Sequence, residues 1–92
     1  MFVLDSHCDA PSMLIKGADF AKGVRRGISE GSFPVTHVDY PRMKKGGVDA
    51  SFFALYTSNT ISEEQSLRIV MKMIAAVNDS IAQNPGMVAL AT

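Results

Sequence analysis

The first apolar positions of the chain form a short run that predicts a β-strand. Residues 2–4 read Phe-Val-Leu, which favours extended backbone, and the strand is predicted to continue through the polar residues 5–7. Pro11 ends it, because proline lacks the N–H that a sheet requires. Residues 12–36 mix glycine, proline and charge, which predicts a long loop with a helical turn near residues 12–15. Loops of this length are usually functional or disordered.

The middle of the chain predicts a short helix followed by a second strand. Asp39 is a suitable N-cap, and Pro41 is tolerated in the first helical turn. The glycine pair at 46–47 favours the end of that helix. Residues 50–56 (Ala-Ser-Phe-Phe-Ala-Leu-Tyr) then form an almost unbroken apolar run. Such a run is typical of a strand that is buried on both faces in a parallel sheet.

The last third of the chain predicts a long amphipathic helix. Ser62 and Gln65 have the spacing of a capping box, in which each side chain binds the other residue's backbone N–H. Residues 84–86 (Asn-Pro-Gly) are expected to end the helix, and residues 87–91 are predicted to be the next apolar segment or a turn that leads to one. One apolar stripe is predicted to face the core, formed by Leu67, Val70, Ile74, Val77 and Ile81 and widened by Met71 and Met73.

The predicted order of strand, loop, helix, strand and helix indicates an α/β protein with parallel strands and crossover helices. A sheet of two parallel strands leaves both of its edges open, whereas the run at 50–56 favours a strand with neighbours on either side. We therefore expect these 92 residues to be the first part of a larger sheet, or to complete the sheet by forming a homo-oligomer.

Composition and charge exclude several classes of protein. Hydrophobic residues make up 47% of the chain, which is enough to build a core. Nine basic residues balance nine acidic residues, so a nucleic-acid partner is disfavoured. A single cysteine cannot form an internal disulfide. No segment predicts a membrane span or a signal peptide, which favours a cytoplasmic protein; a secreted or membrane-anchored form would require that a leader had been removed.

The candidate chemistry lies where the first strand ends. His7 and Asp9 are two residues apart, so in a strand their side chains project from the same face and are able to bind one metal ion. Asp5 is expected on that face too, where it would orient His7, and Cys8 is expected on the opposite face as a small buried hydrophobe. The alternative is that His7 and Asp9 serve only the turn that follows the strand.

Two further residues have candidate roles with open alternatives. Tyr56 ends the second apolar run, so we expect it either to contact a substrate or to pack on a helix. His37 precedes the helix-capping Asp39, and a surface or capping position is favoured over a pocket.

Two separated motifs resemble the membrane (renal) dipeptidases, a family of zinc metallopeptidases. Residues 5–11 (Asp-Ser-His-Cys-Asp-Ala-Pro) are similar to the family's Asp-Gly-His-Asn-Asp-Leu-Pro. Residues 37–48 (His-Val-Asp-Tyr-Pro-Arg-Met-Lys-Lys-Gly-Gly-Val) are similar to its second motif, which is followed by a Phe-rich strand that ends in Tyr, here residues 52–56. A long amphipathic helix comes next, so the resemblance covers essentially the whole chain.

This resemblance implies that residues 1–92 form the N-terminal segment of a (β/α)8 TIM barrel. It implies that His7 and Asp9 bind one Zn2+ of a two-zinc site that hydrolyses dipeptides by a metal-activated water. The catalytic residues and the other ligands are expected beyond residue 92. Two alternatives stay open: a catalytically incomplete remnant or assembling subunit, and another amidohydrolase-like barrel that acts on cyclic amides or esters. Asp9 disfavours the latter, because such barrels more often carry His-x-His on the first strand.

Overall fold

Two parallel strands and three helices form the part of the chain that the structure describes. The computed structural model describes residues 1–22 and 36–92. The elements in chain order are β1 (Leu4–Cys8), α1 (Pro11–Leu14), α2 (Tyr40–Lys45), β2 (Ala50–Phe53) and α3 (Glu63–Gln83). This order confirms the predicted α/β alternation and the helical turn after β1. The predicted loop falls partly at residues 23–35, which lie outside the described residues.

The sheet is parallel, and α2 lies in the connection between its two strands. At the start of the sheet, the Val3 N–H donates to Asp49 Oδ2 at 2.8 Å, and the Asp49 N–H donates to the Val3 carbonyl at 2.9 Å. At the other end, the Ala54 N–H donates to the Cys8 carbonyl at 2.8 Å. Because the strands are parallel, their carboxyl ends meet at the same edge of the sheet.

A bulge interrupts β1 just before its carboxyl end. Asp5 pairs with Ser51 and Cys8 pairs with Phe53, so β1 uses one more residue than β2 between these two pairs. Ser51 and Phe53 are two apart and share one face, which places their partners Asp5 and Cys8 on that face as well. The expectation that Asp5 shares a face with His7, opposite Cys8, is therefore wrong, because it assumed unbroken alternation along the strand.

The start of α2 is held by a buried carboxylate. Asp39 is fully buried, and its Oδ1 accepts from the Arg42 N–H at 2.8 Å, which confirms the predicted N-cap. The Arg42 side chain folds back, donating from Nε to Asp39 Oδ2 at 2.6 Å and from Nη2 to the Thr36 carbonyl at 2.7 Å. The helix ends at the predicted glycines, where Gly47 takes a φ of +79°, a conformation that suits glycine.

Helix α3 begins as predicted. The Gln65 N–H donates to Ser62 Oγ at 3.2 Å, and the Ser62 N–H donates to Gln65 Oε1 at 3.3 Å, so both arms of the capping box are present. Its 21 residues span about 32 Å. Asn84 ends the helix as expected. The described residues 87–91 form no helix or strand.

The core lies between the sheet and the helices. The Phe20 ring packs edge-on against Tyr40, with the ring centroids 5.7 Å apart, and against Phe53, with the centroids 6.1 Å apart. Met73 of α3 is fully buried, and the Tyr40 hydroxyl lies 2.6 Å from Ser80 Oγ. These contacts join α2 and β2 to the segment after α1, and α3 to α2.

The predicted core stripe of α3 is only partly correct. Met73 is the centre of the buried face, while Val70, Val77 and Ile81 are half-buried. Leu67, Met71 and Ile74 are exposed instead. On a helix with 3.6 residues per turn these three lie within about 60° of one another, so they form one apolar strip. The physical reason is that the described part of the chain covers only the face around Met73.

The second strand is shorter and less buried than predicted. It ends at Phe53 rather than at residue 56, and the Phe52 side chain is 64% exposed. Among the described residues β2 has one strand neighbour, and Phe52 lies on the face opposite Phe53, which packs on Phe20. The prediction that this strand is buried on both faces is therefore wrong for the described residues.

Across residues 1–22 and 36–92, no helix combines the length and the hydrophobicity that crossing a bilayer requires.

Candidate metal centre

His7 and Asp9 come together at the carboxyl end of β1. His7 lies in the bulged part of the strand, and Asp9 is the first residue after it. His7 Nε2 is 3.2 Å from Asp9 Oδ1, and the two side chains are 68% and 60% exposed. Exposed ion pairs contribute only about 0–1 kcal/mol to stability, so stabilisation is a weak reason for this arrangement.

The separation of these two donor atoms suits a shared metal ion. Zinc binds imidazole nitrogen and carboxylate oxygen at about 2.0–2.2 Å, so two ligands at a tetrahedral angle lie about 3.4 Å apart. The observed 3.2 Å between His7 Nε2 and Asp9 Oδ1 is close to that value. The donor set therefore fits zinc in both chemistry and spacing.

Asp5 contacts the backbone of His7. Asp5 Oδ1 accepts from the His7 N–H at 3.2 Å, and Asp5 Oδ2 accepts from Ser51 Oγ at 3.0 Å. The sequence singled out Asp5 as a residue that orients His7, but it carried no signal for Ser51. That contact depends on the pairing of two strands that lie 46 residues apart in the chain.

The other candidates lie as follows. Cys8 is a buried free cysteine, which confirms its predicted role as a small hydrophobe. His37 is exposed, which confirms its predicted surface position. Tyr56 lies three residues beyond the end of β2 and is 68% exposed. The Ala54 N–H is hydrogen-bonded to the Cys8 carbonyl. The chain therefore leaves the sheet two residues before Tyr56, at the edge that carries His7.

The described residues do not form a complete metal centre. Within them, no group of three or more His, Cys, Asp or Glu side chains is placed to hold a metal ion. A catalytic zinc usually has three protein ligands. His7 and Asp9 by themselves are therefore fewer ligands than a catalytic zinc requires.

Comparison with known families assigns the chain. A sequence model described as membrane dipeptidase, peptidase family M19, matches residues 1–92. The chain belongs to the membrane dipeptidase family. This confirms the resemblance carried by residues 5–11 and 37–48, and the family consists of peptide hydrolases that are generally zinc-dependent. Neither the curated proteins nor the solved structures gave a match.

The two motifs of this membrane dipeptidase family member have different positions in the fold. The first, residues 5–11, contains the bulged end of β1 and the pair of His7 and Asp9. The second, residues 37–48, contains the buried cap of α2 and the glycine at its end. In this structure the first motif presents exposed donor atoms, whereas the second supports the connection between the strands.

Proposed function

We propose that residues 1–92 are the N-terminal segment of a zinc-dependent dipeptidase in which His7 and Asp9 are metal ligands. The observation that carries this proposal is the exposed pair of donor atoms, 3.2 Å apart, at the carboxyl end of a strand in a chain of the membrane dipeptidase family. Exposure leaves both groups accessible to a metal ion, and the spacing suits one shared ion.

The proposed roles of the residues follow from their chemistry. His7 Nε2 offers a nitrogen lone pair, and the Asp9 carboxylate offers an anionic oxygen that offsets the charge of a cation. When bound, zinc polarises a peptide carbonyl and lowers the pKa of a bound water. Tyr56 is proposed to contact the dipeptide from the segment that follows the neighbouring strand. The remaining ligands, including those of a second zinc, are proposed to lie outside residues 1–92.

The proposed architecture is a (β/α)8 barrel. Two parallel strands with a helix in their connection are the repeating unit of such a barrel, and barrel enzymes place their sites at the carboxyl ends of the strands. His7 and Asp9 lie at that end of β1. The family match does not favour the alternative of a barrel that acts on cyclic amides or esters.

A second candidate, an assembling subunit without activity of its own, is favoured by one observation. The apolar strip of α3 and the Phe52 side chain are exposed to solvent. Large exposed apolar patches usually mark surfaces that another protein segment covers. That segment is either further barrel structure or a second copy of the chain.

Replacing His7 tests the proposed function. We expect His7→Ala, made in the protein at its native length, to abolish dipeptide hydrolysis and to lower the zinc content measured by atomic absorption. His37→Ala is the matched control, because His37 is the other histidine and is exposed. If His7→Ala retained the zinc content and hydrolysis rate of the control, the ligand assignment would be wrong.

A further inference from the structure

We infer that Asp5, anchored by Ser51, is a positioning residue that holds His7 in its metal-binding geometry. This inference rests on the proposed function. It extends that function from the donor atoms to the hydrogen bonds that place one of them.

The bulge places His7 outside the regular pairing of the two strands. Between the pairs Asp5–Ser51 and Cys8–Phe53, β1 contains one residue more than β2. A bulged residue is left out of the regular ladder, so its backbone groups bond to side chains or to water, and its side-chain direction is not set by alternation. His7 lies in this interval, and its N–H is bonded to a side chain, Asp5 Oδ1 at 3.2 Å.

The Asp5 carboxylate connects the bulge to the neighbouring strand. Its second oxygen, Oδ2, accepts from Ser51 Oγ at 3.0 Å. One rigid, planar group therefore bonds the backbone of His7 on one side and β2 on the other. Ser51 is part of β2. The hydrogen bonds through Asp5 therefore hold the His7 backbone in place relative to the sheet rather than relative to the turn after β1.

The consequence for metal binding follows from geometry. Metal ligands have to be held within about 0.5 Å of their binding positions, and loss of a supporting hydrogen bond typically lowers metal affinity about 10- to 100-fold. Without Asp5, the His7 backbone would be free to shift relative to Asp9, which lies beyond the end of the strand. His7 Nε2 and Asp9 Oδ1 would then no longer be held at the separation that suits one shared metal ion.

An asparagine substitution distinguishes a positioning role of Asp5 from a role as a direct metal ligand or as a general base. An asparagine at position 5 retains both hydrogen bonds, since its amide oxygen accepts from the His7 N–H and its NH2 donates to Ser51 Oγ. It has no charge and is a poor metal ligand and no base. Asp5→Asn should therefore retain a positioning role but abolish a role as a direct ligand or as a general base.

The experiment compares four variants of the native-length protein: Asp5→Ala, Asp5→Asn, Ser51→Ala and the control Asp49→Ala. Asp49 also accepts a backbone N–H of the first strand segment, from Val3 at 2.8 Å. It does so about 13 Å from His7 along the strand. The readouts are zinc affinity by chelator competition, the visible spectrum of the cobalt-substituted protein, and thermal unfolding of the metal-free protein.

We expect Asp5→Ala to lower zinc affinity about 10- to 100-fold and to change the cobalt spectrum, with a smaller loss for Ser51→Ala. Asp5→Asn and Asp49→Ala should retain the affinity and spectrum of the unaltered protein. The melting temperatures of the metal-free Asp5→Ala and Asp49→Ala variants should fall by similar amounts. If Asp5→Ala does not fold, the loss of affinity in Ser51→Ala decides the matter.

Several results would overturn the inference. An Asp5→Ala variant that binds zinc as tightly as Asp49→Ala would show that Asp5 does not position His7. An Asp5→Asn variant as defective as Asp5→Ala would indicate a direct ligand or base instead. Normal zinc affinity in Ser51→Ala would remove the anchor. The proposed function itself fails only if His7→Ala also binds zinc normally, so the two failures are distinguishable.

Discussion

Two pairs of polar side chains lie in opposite environments. His7 and Asp9 are largely exposed, whereas Asp39 is fully buried beneath the guanidinium of Arg42. Removing either partner of a buried pair destabilises the fold, because the remaining polar group stays buried without its partner. An exposed pair contributes little to stability. Under the proposed function, substitution of His7 or Asp9 should therefore affect metal binding, whereas substitution of Asp39 or Arg42 should affect folding.

Asp39 provides the test on the folding side. We expect Asp39→Ala to lower the free energy of unfolding by about 2–4 kcal/mol, because it removes an N-cap and the buried acceptor of the Arg42 side chain. Urea denaturation of the native-length protein measures this change. Asp19→Ala is the control, since Asp19 is exposed and accepts from the Ala21 N–H at 2.9 Å. Equal losses in the two variants would contradict a special role for the buried cap.

The sequence predicted the candidate site at this scale only as far as local spacing reaches. The spacing of His7 and Asp9, two residues apart at the end of an apolar run, is enough to predict them as candidate ligands. The position of Asp39 before a proline-containing first turn is enough to predict the cap that the structure confirms. The contact between Asp5 and Ser51 was not found, because it depends on pairing across 46 residues. The bulge was not found either, since a strand's alternation can be read from its sequence but its register cannot.

The elements themselves show the same division between local and distant causes. The capping box of α3 was predictable, because Ser62 and Gln65 are three residues apart and need no outside partner. The buried face of α3 was not, because a helix that is apolar over a wide arc is buried only where neighbours exist. Here those neighbours meet the helix at Met73 rather than at Leu67 or Ile74.

Two methionines on α3 form a matched pair for testing that buried face. Met73 is fully buried and Met71 is exposed, although they lie in the same turn of the helix. We expect Met73→Ala to lower the free energy of unfolding by about 2–5 kcal/mol, through lost apolar burial and the cavity it leaves. Met71→Ala should change it by less than about 0.5 kcal/mol in the 92-residue chain at concentrations low enough to keep it monomeric, where Met71 is exposed. Thermal or urea unfolding of both variants measures the difference, and equal losses would mean that Met73 does not define the core.

At the scale of the whole molecule, the described residues leave a substantial apolar surface uncovered. It includes the strip of Leu67, Met71 and Ile74 on α3 and the Phe52 side chain on the sheet. Burial of apolar surface is the main stabilising contribution to folding, at about 25 cal/mol per Å2. The parallel sheet was predictable from the order of the elements. Whether its faces are buried or exposed was not, because that depends on what packs against them.

This surface predicts association when residues 1–92 are produced as a separate polypeptide. We expect concentration-dependent self-association in sedimentation velocity experiments, because the exposed strip is apolar and the net charge is zero. Replacing Leu67 and Met71 by lysine should weaken the association. Glu64→Lys is the control, since it changes the net charge by the same two units on the same helix. A polypeptide that stays monomeric at every concentration, or a control that weakens association equally, would contradict this prediction.

The pairing of Asp5 with Ser51 also has a consequence for the order of folding. The two residues are 46 positions apart, so the chain between them must close into a loop before the bond can form. At synthesis rates of about 5–20 residues per second, His7 emerges from the ribosome seconds before its support does. During that interval the histidine belongs to a flexible chain. If His7 and Asp9 bind a metal ion as proposed, and the ion requires their final geometry, we expect it to bind after strand pairing, as a late step that stabilises structure already formed.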